Sequence, residues 1–228
     1  MNNWLTKFPR LNELYERTSS HCSNSDDVLS RYIRWGESEL LVQKGAELLE
    51  NNLARLDSKA WEDLIVKVLP YSCSKDKSRG WHQFWEHMNE SRGYVLLADR
   101  GYSKIRFIEC GKGQSAELIG ETPTSRAILE VKTINRSDDD LKPNSSVLIL
   151  HSDVPVSVPV KLQEKLRKTI EKARGQIEST LKNIPPVEKK IVLLIINRDF
   201  LCSPITMKLL EEKLEQQDLE VICQVGDS

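Results

Sequence analysis

The sequence predicts an α/β protein: a mixed central sheet flanked by helices, with a helical N-terminal extension. Three observations predict it. Apolar residues recur at helical spacing through the first third of the chain. Short apolar segments separated by Gly, Pro or Ser clusters come next. The last third then alternates helix, strand, helix, strand. The extension is assigned to residues 1–78 and the α/β core to residues 79–228.

In the extension, Trp4, Phe8, Leu11, Leu14 and Tyr15 share a helical face. A second helix is expected from Ser38, a suitable N-cap, to Leu56. Asp57 and Ser58 cap a third helix, which carries Trp61, Leu64, Ile65 and Val68 and is expected to stop at Pro70. The polar stretches 18–27 and 72–78 read as loops. A short helix from Gly80 to Glu90 places Trp81, Phe84, Trp85 and Met88 on one apolar face. Those aromatics could stack on bases, but helical periodicity accounts for all of them, and core packing is the favoured reading.

Strands are expected at Tyr94–Leu97, Lys104–Glu109, Ala116–Ile119 and Ala127–Ile134. Residues 135–146 read as a polar loop with an acidic knot, Asp138-Asp139-Asp140. A short edge strand is expected within 147–160, limited by two prolines. From Lys161 to Lys182 a helix is lined by Leu162, Leu166, Ile170, Ala173, Ile177 and Leu181. The apolar run Ile191–Ile196 suits a strand buried on both faces. Ser203-Pro204 opens a helix running to about Gln217, and Leu219–Val225 is a last strand.

Composition narrows the function classes. The 228 residues are 39% hydrophobic with a formal net charge of −1, so a nucleic-acid footprint over the whole surface is missing. No apolar run reaches the roughly 18 residues of a membrane span, and the N-terminus lacks the pattern of a secretory signal. The five cysteines form no CxxC and are odd in number. They argue against a disulfide framework or structural zinc, and free thiols suit a reducing cytoplasm.

The chemistry centres on Glu130 and Lys132. They sit two apart on an expected strand and so point to the same face. Leu129, Val131 and Ile134 mark that strand as buried, where two charges are expensive unless paired, hydrated or bound to metal. The acid-x-Lys spacing occurs five times in the chain, and only this instance lies inside an expected strand. Glu117 lies 13 residues upstream, at hairpin distance, so it can approach Glu130. Two converging carboxylates make a hard oxygen site for Mg²⁺ or Mn²⁺. Such an ion activates water, and a neighbouring lysine offsets charge on a phosphodiester transition state. A cross-strand ion pair on a solvated face explains the same residues equally well.

Residues 161–190 contain nine Lys or Arg and four Glu, a local net of +5. Lys161, Lys165, Lys168 and Lys172 form one stripe that could follow a phosphate backbone. The bland reading is a solvated face with Glu–Lys pairs within the helix. The stretch 211–228 nets −5 and is a poor phosphate surface.

Glu117-Leu118-Ile119 followed by Ile128-Leu129-Glu130-Val131-Lys132-Thr133-Ile134 resembles the PD-(D/E)XK nuclease superfamily. The resemblance spans about Gly80 to Asp199, including Asn89–Tyr94, Ile105–Ile108, Ala173–Gln176 and Ile195–Asp199. It implies a restriction-endonuclease-like core and Mg²⁺- or Mn²⁺-dependent hydrolysis of nucleic acid, DNA in the first instance. It implies that Glu117 and Glu130 bind the metal and that Lys132 assists the attacking water. Glu90 would be the helical glutamate that completes the site, with Glu86 its rival, and Gln176 would support the lysine. On its helical wheel Glu90 falls roughly opposite the apolar face, so a solvated helix end is its alternative role. The superfamily's first acid is usually Asp after Pro, whereas here the pair is Ala116-Glu117. That departure leaves open a catalytically inactive nucleic-acid-binding module. A protein-interaction scaffold is the third reading. A membrane partner is not expected, and a homodimer is compatible with the sequence.

Overall fold

The computed structural model describes residues 4–22, 27–36, 40–73, 79–108, 116–134, 160–197, 211, 212, 214 and 218–226. Among these residues the chain forms six α-helices and five strands, a mixed α/β fold. The helices are α1 (Pro9–His21), α2 (Val28–Gly36), α3 (Leu40–Leu53), α4 (Ser58–Ser72), α5 (Arg79–Asp99) and α6 (Val160–Leu181). The strands are β1 (Ser103–Phe107), β2 (Leu118–Glu121), β3 (Arg126–Ile134), β4 (Lys189–Asn197) and β5 (Glu220–Gly226). No helix among the described residues is long and apolar enough to cross a membrane. The expected edge strand within 147–160, the acidic knot, and most of the helix after Pro204 lie outside the described residues.

The chain divides into two units, Met1–Gly101 with Ile105–Phe107, and Tyr102–Lys104 with Ile108–Ser228. The first is helical. Its core gathers Leu11, Leu14, Leu29, Leu53, Trp61, Leu64, Phe84, Met88 and Leu97, each less than 3% exposed. α1 starts at a proline and has no side-chain cap of its own. Glu50 of α3 supplies one, its two carboxylate oxygens accepting from the Arg10 and Leu11 amides at 3.0 and 2.9 Å. This buried acid satisfies donors that a helix start otherwise leaves open. Asp57 caps α4 as expected, accepting from the Ala60 amide at 2.8 Å.

Four expectations in this unit are corrected. α4 does not stop at Pro70 but continues to Ser72. The amide that proline lacks would have served the Val66 carbonyl, and Val66 is 69% exposed, so water can take its place. The expected helix 80–90 and strand 94–97 are one helix, α5. Phe84, Met88, Ser91, Tyr94 and Leu97 are all buried, a stripe that keeps helical period through Gly93. The loop expected at 18–27 begins later, because α1 runs to His21. Finally, Cys22 and Cys73 are joined in a disulfide, 51 residues apart with 5.4 Å between their Cα atoms. These two are therefore not scattered free thiols, and the support they gave for a reducing compartment falls away.

The strands are ordered β1-β2-β3-β4-β5, and β2 to β5 belong to the second unit. β2 and β3 form an antiparallel hairpin, while β4 runs parallel to β3 and β5 parallel to β4. Ile191–Ile196 are all 1% exposed or less, as expected of a strand covered on both faces. α6 packs against β3 and β4. Its Leu166, Ile170, Ala173 and Ile177 join Ile128 and Ile134 of β3 and Val192, Leu194 and Ile196 of β4 in one apolar cluster.

Candidate active site

Side chains two apart on a strand share a face. Ile128 and Ile134 lie in the cluster beneath α6, so Glu130 and Lys132 between them face the same layer. In the parallel register Glu130 stands beside Val192 and Lys132 beside Leu194. This is a buried face, not the solvated one that a surface ion pair would occupy. Glu130 is 0% exposed and the Lys132 side chain 19%. The Lys132 ammonium donates to a Glu130 carboxylate oxygen. The pairing is within one strand rather than across two. It meets the requirement that a buried charge be matched, and its partly exposed end opens from the lysine side.

Glu117 lies immediately before β2 and is half-buried. Its carbonyl accepts from the Ile108 amide at 2.9 Å, and its own amide donates to Leu129 O at 3.2 Å. Leu129 is the register partner of Leu118, so the Glu117 bond is one residue out of step with the ladder. Such an offset marks a bulge, a device that re-aims one side chain at the end of a strand pair. The main chain of Glu117 is thus held one residue from Glu130 on the central strand.

The residue that sequence reasoning missed is Thr180. Its buried hydroxyl accepts from the Ala116 amide at 2.8 Å and donates to the Gln176 carbonyl at 2.8 Å. Thr180 therefore ties the α6 backbone to the residue preceding Glu117. A threonine bonding back to residue i−4 is common in helices, and only the fold shows that its second partner is a main-chain amide 64 residues away, two residues before β2. Gln176, one turn earlier, is 7% exposed. Its expected position near the apolar boundary of α6 holds. Thr180→Val is expected to lower stability by about 1–3 kcal/mol, because a buried amide loses its acceptor, while Thr180→Ser retains most of it. Urea unfolding of the three proteins checks this.

Glu90 is not at a solvated helix end. It is 3% exposed, inside the helical unit. Its oxygens meet Lys67 Nζ of α4 at 2.6 Å and His87 Nδ1 at 2.6 Å. Lys67 also lies over the Phe107 ring, 4.9 Å from its centroid. Glu86, the rival, is exposed. Of the expected aromatic face, Phe84 and Met88 are buried and Trp85 packs on Phe84 and Tyr32, consistent with core rather than base stacking.

On α6, Lys168 and Lys172 are exposed and Lys165 is half-buried, while the Lys161 side chain lies outside the described set. With Glu164 and Thr169, the three described lysines line a shallow open depression.

Among the described residues, no three His, Cys, Asp or Glu side chains gather as a metal-ligand set. Compared with known proteins, the chain matches no family model, no curated sequence and no solved structure.

Proposed function

We propose that this chain is a Mg²⁺-dependent nuclease that hydrolyses phosphodiester bonds, with Glu130 and Lys132 at its centre. The observation that carries this reading is the Glu130–Lys132 pair on β3, buried beneath α6, where charge is retained at the expense of apolar packing. The order α5-β1-β2-β3-α6-β4, with the antiparallel β2–β3 hairpin and β4 parallel to β3, supports a restriction-endonuclease-like core. The Ala116-Glu117 segment, anchored by Thr180, brings the second acid.

The donor set fits the ion. Glu117 and Glu130 offer hard carboxylate oxygens, and Mg²⁺ ordinarily takes one or two carboxylates and draws its other ligands from water and substrate phosphate. A third protein acid is therefore not required. When bound, the ion would lower the pKa of a coordinated water and polarise the phosphate. Lys132, held by Glu130 and open on one side, would orient the attacking water and offset charge growing on the phosphate oxygens. Lys165, Lys168 and Lys172 hold the nucleic acid, DNA in the first instance, by its phosphates. The proposed setting is the cytoplasm.

The test is cleavage of labelled single- and double-stranded DNA and RNA with Mg²⁺, Mn²⁺ or EDTA. Wild type runs beside Glu130→Gln and Lys132→Arg, with folding checked for each. Metal-dependent cleavage lost in both variants supports the proposal. A folded wild type that cuts nothing sinks it.

A second reading is a nucleic-acid-binding module without catalysis. The full burial of Glu130 and its engagement by Lys132 favour it. Both readings expect salt-sensitive binding through α6. Replacing Lys165, Lys168 and Lys172 with Gln is expected to weaken duplex binding. The slope of log K against log salt should become shallower by about 2.7, near 0.9 for each phosphate no longer neutralised. Fluorescence anisotropy between roughly 50 and 200 mM salt, a range set by the size of that effect, reads this directly. An unchanged slope excludes the stripe.

A further inference from the structure

The disulfide joins two helices that pack without it. α1 buries Leu11 and Leu14, and α4 buries Trp61, Leu64, Ile65 and Val68. Between the two helices, Trp61 Nε1 donates to Glu13 at 2.9 Å, and Arg17 bonds Glu62 through both guanidinium NH₂ groups at 2.8 and 2.7 Å. A unit with this much apolar and polar contact does not depend on a cross-link in the way that a small, core-poor domain does. The bond sits at the extreme ends of both helices, one residue past His21 and one past Ser72. Its two residues differ in access: Cys73 is exposed, whereas Cys22 is 9% exposed. Ser72 is buried between them, its hydroxyl 3.5 Å from the Cys22 sulfur and 3.4 Å from the Cys73 sulfur. That hydroxyl donates its proton to Leu69 O at 2.7 Å and keeps lone pairs directed elsewhere.

We propose that Cys22 and Cys73 form a thiol-responsive latch that clamps the C-terminal ends of α1 and α4 when closed and releases them, with the unit still folded, when opened. The co-reactant is a small thiol. Its thiolate attacks the sulfur of the accessible Cys73; the Cys22–Cys73 bond breaks, and a mixed disulfide forms at Cys73. Cys22 leaves as a thiolate and takes up a proton. Its new S–H then finds an acceptor in the Ser72 hydroxyl, so the buried side of the open latch is not left without a partner. A second thiol attacks the outer sulfur of the mixed disulfide, frees the Cys73 thiol and departs as the oxidised small disulfide. Two thiols supply two electrons. Closing runs the same steps backwards, with a small disulfide as oxidant. The latch is independent of the hydrolytic reading, because every residue in it belongs to the helical unit.

The experiment uses the full chain, equilibrated in mixtures of reduced and oxidised glutathione. Alkylation followed by peptide mapping reads the cross-link, circular dichroism reads helicity, and hydrogen exchange reads local opening. A linked Cys22–Cys73 peptide is expected under oxidising mixtures. Reducing mixtures should open it with helicity unchanged and accelerate exchange in the last turns of α1 and α4 by about tenfold or more, local opening being what exchange reports. Cys73→Ser should show the faster exchange in both mixtures. If that variant fails to fold, fully reduced wild type provides the same comparison. Three results would overturn the latch: no linked peptide, opening only when helicity is lost (a permanent staple), or exchange in those turns that does not respond to the bond.

Discussion

Lys132→Met is expected to lower the unfolding free energy by about 3–5 kcal/mol, the range for removing one partner of a buried ion pair. The loss would not measure the worth of the salt bridge. Glu130 is 0% exposed and sits among Ile128, Val192 and the apolar face of α6, so without the ammonium its charge would be left in a poorly polarisable layer. The double change Glu130→Met, Lys132→Met removes both charges and is expected to recover most of that loss, since apolar groups of similar volume replace a desolvated pair at little or no penalty. Denaturant unfolding of the wild type, both single variants and the double variant forms a cycle. A double variant no more stable than Lys132→Met would mean that the face is wetter than its burial indicates. The cycle also bears on activity. A pair that the fold could exchange for methionines without loss of stability is retained for something other than stability, and loss of cleavage in the stable double variant would identify what.

Much of that centre is legible in the sequence because strand alternation is a strict rule. Glu130 and Lys132 must share a face, and the flanking Leu129, Val131 and Ile134 mark a buried strand. Which face, and what covers it, is not legible; that depends on α6 crossing from β3 to β4. The run Tyr94–Leu97 reads as a strand but folds as helix, because four consecutive apolar residues fit either structure and only packing against the helical core decides. Pro70 reads as a stop but is not one, because its effect depends on whether the carbonyl four residues earlier faces water. Contacts made over long separations leave no local signal. Glu50 caps α1 from 39 residues away, Thr180 reaches Ala116 across 64, and Cys22 bonds Cys73 across 51. A wheel drawn from Trp81 puts Glu90 on the polar side of its helix. That wheel assumes one apolar face, whereas α5 buries a charged group as well.

Glu90 leads to the last expected result: Lys67→Met should destabilise the protein by about 3 kcal/mol, the lower end of the range for breaking a buried pair, because His87 remains as a partner. The carboxylate is shared between two cationic or donor groups, one from α4 and one from its own helix. Removing Lys67 takes away the α4 half and leaves the carboxylate dependent on the His87 ring nitrogen alone among these two partners. Glu90→Gln should cost less, because a neutral amide is cheaper to bury and still accepts from Lys67. The order of the two variants is the informative quantity. Lys67→Met less stable than Glu90→Gln identifies Glu90 as an internal anion that locks α4 to α5, engaged on both oxygens. If Glu90→Gln proves to be the more stable of all three, wild type included, the acid is a burden on the fold and its retention points to use elsewhere. Parallel Mn²⁺ titrations separate the roles. Binding lost in Glu130→Gln but unchanged in Glu90→Gln assigns the ion to Glu130 and leaves Glu90 its role between α4 and α5.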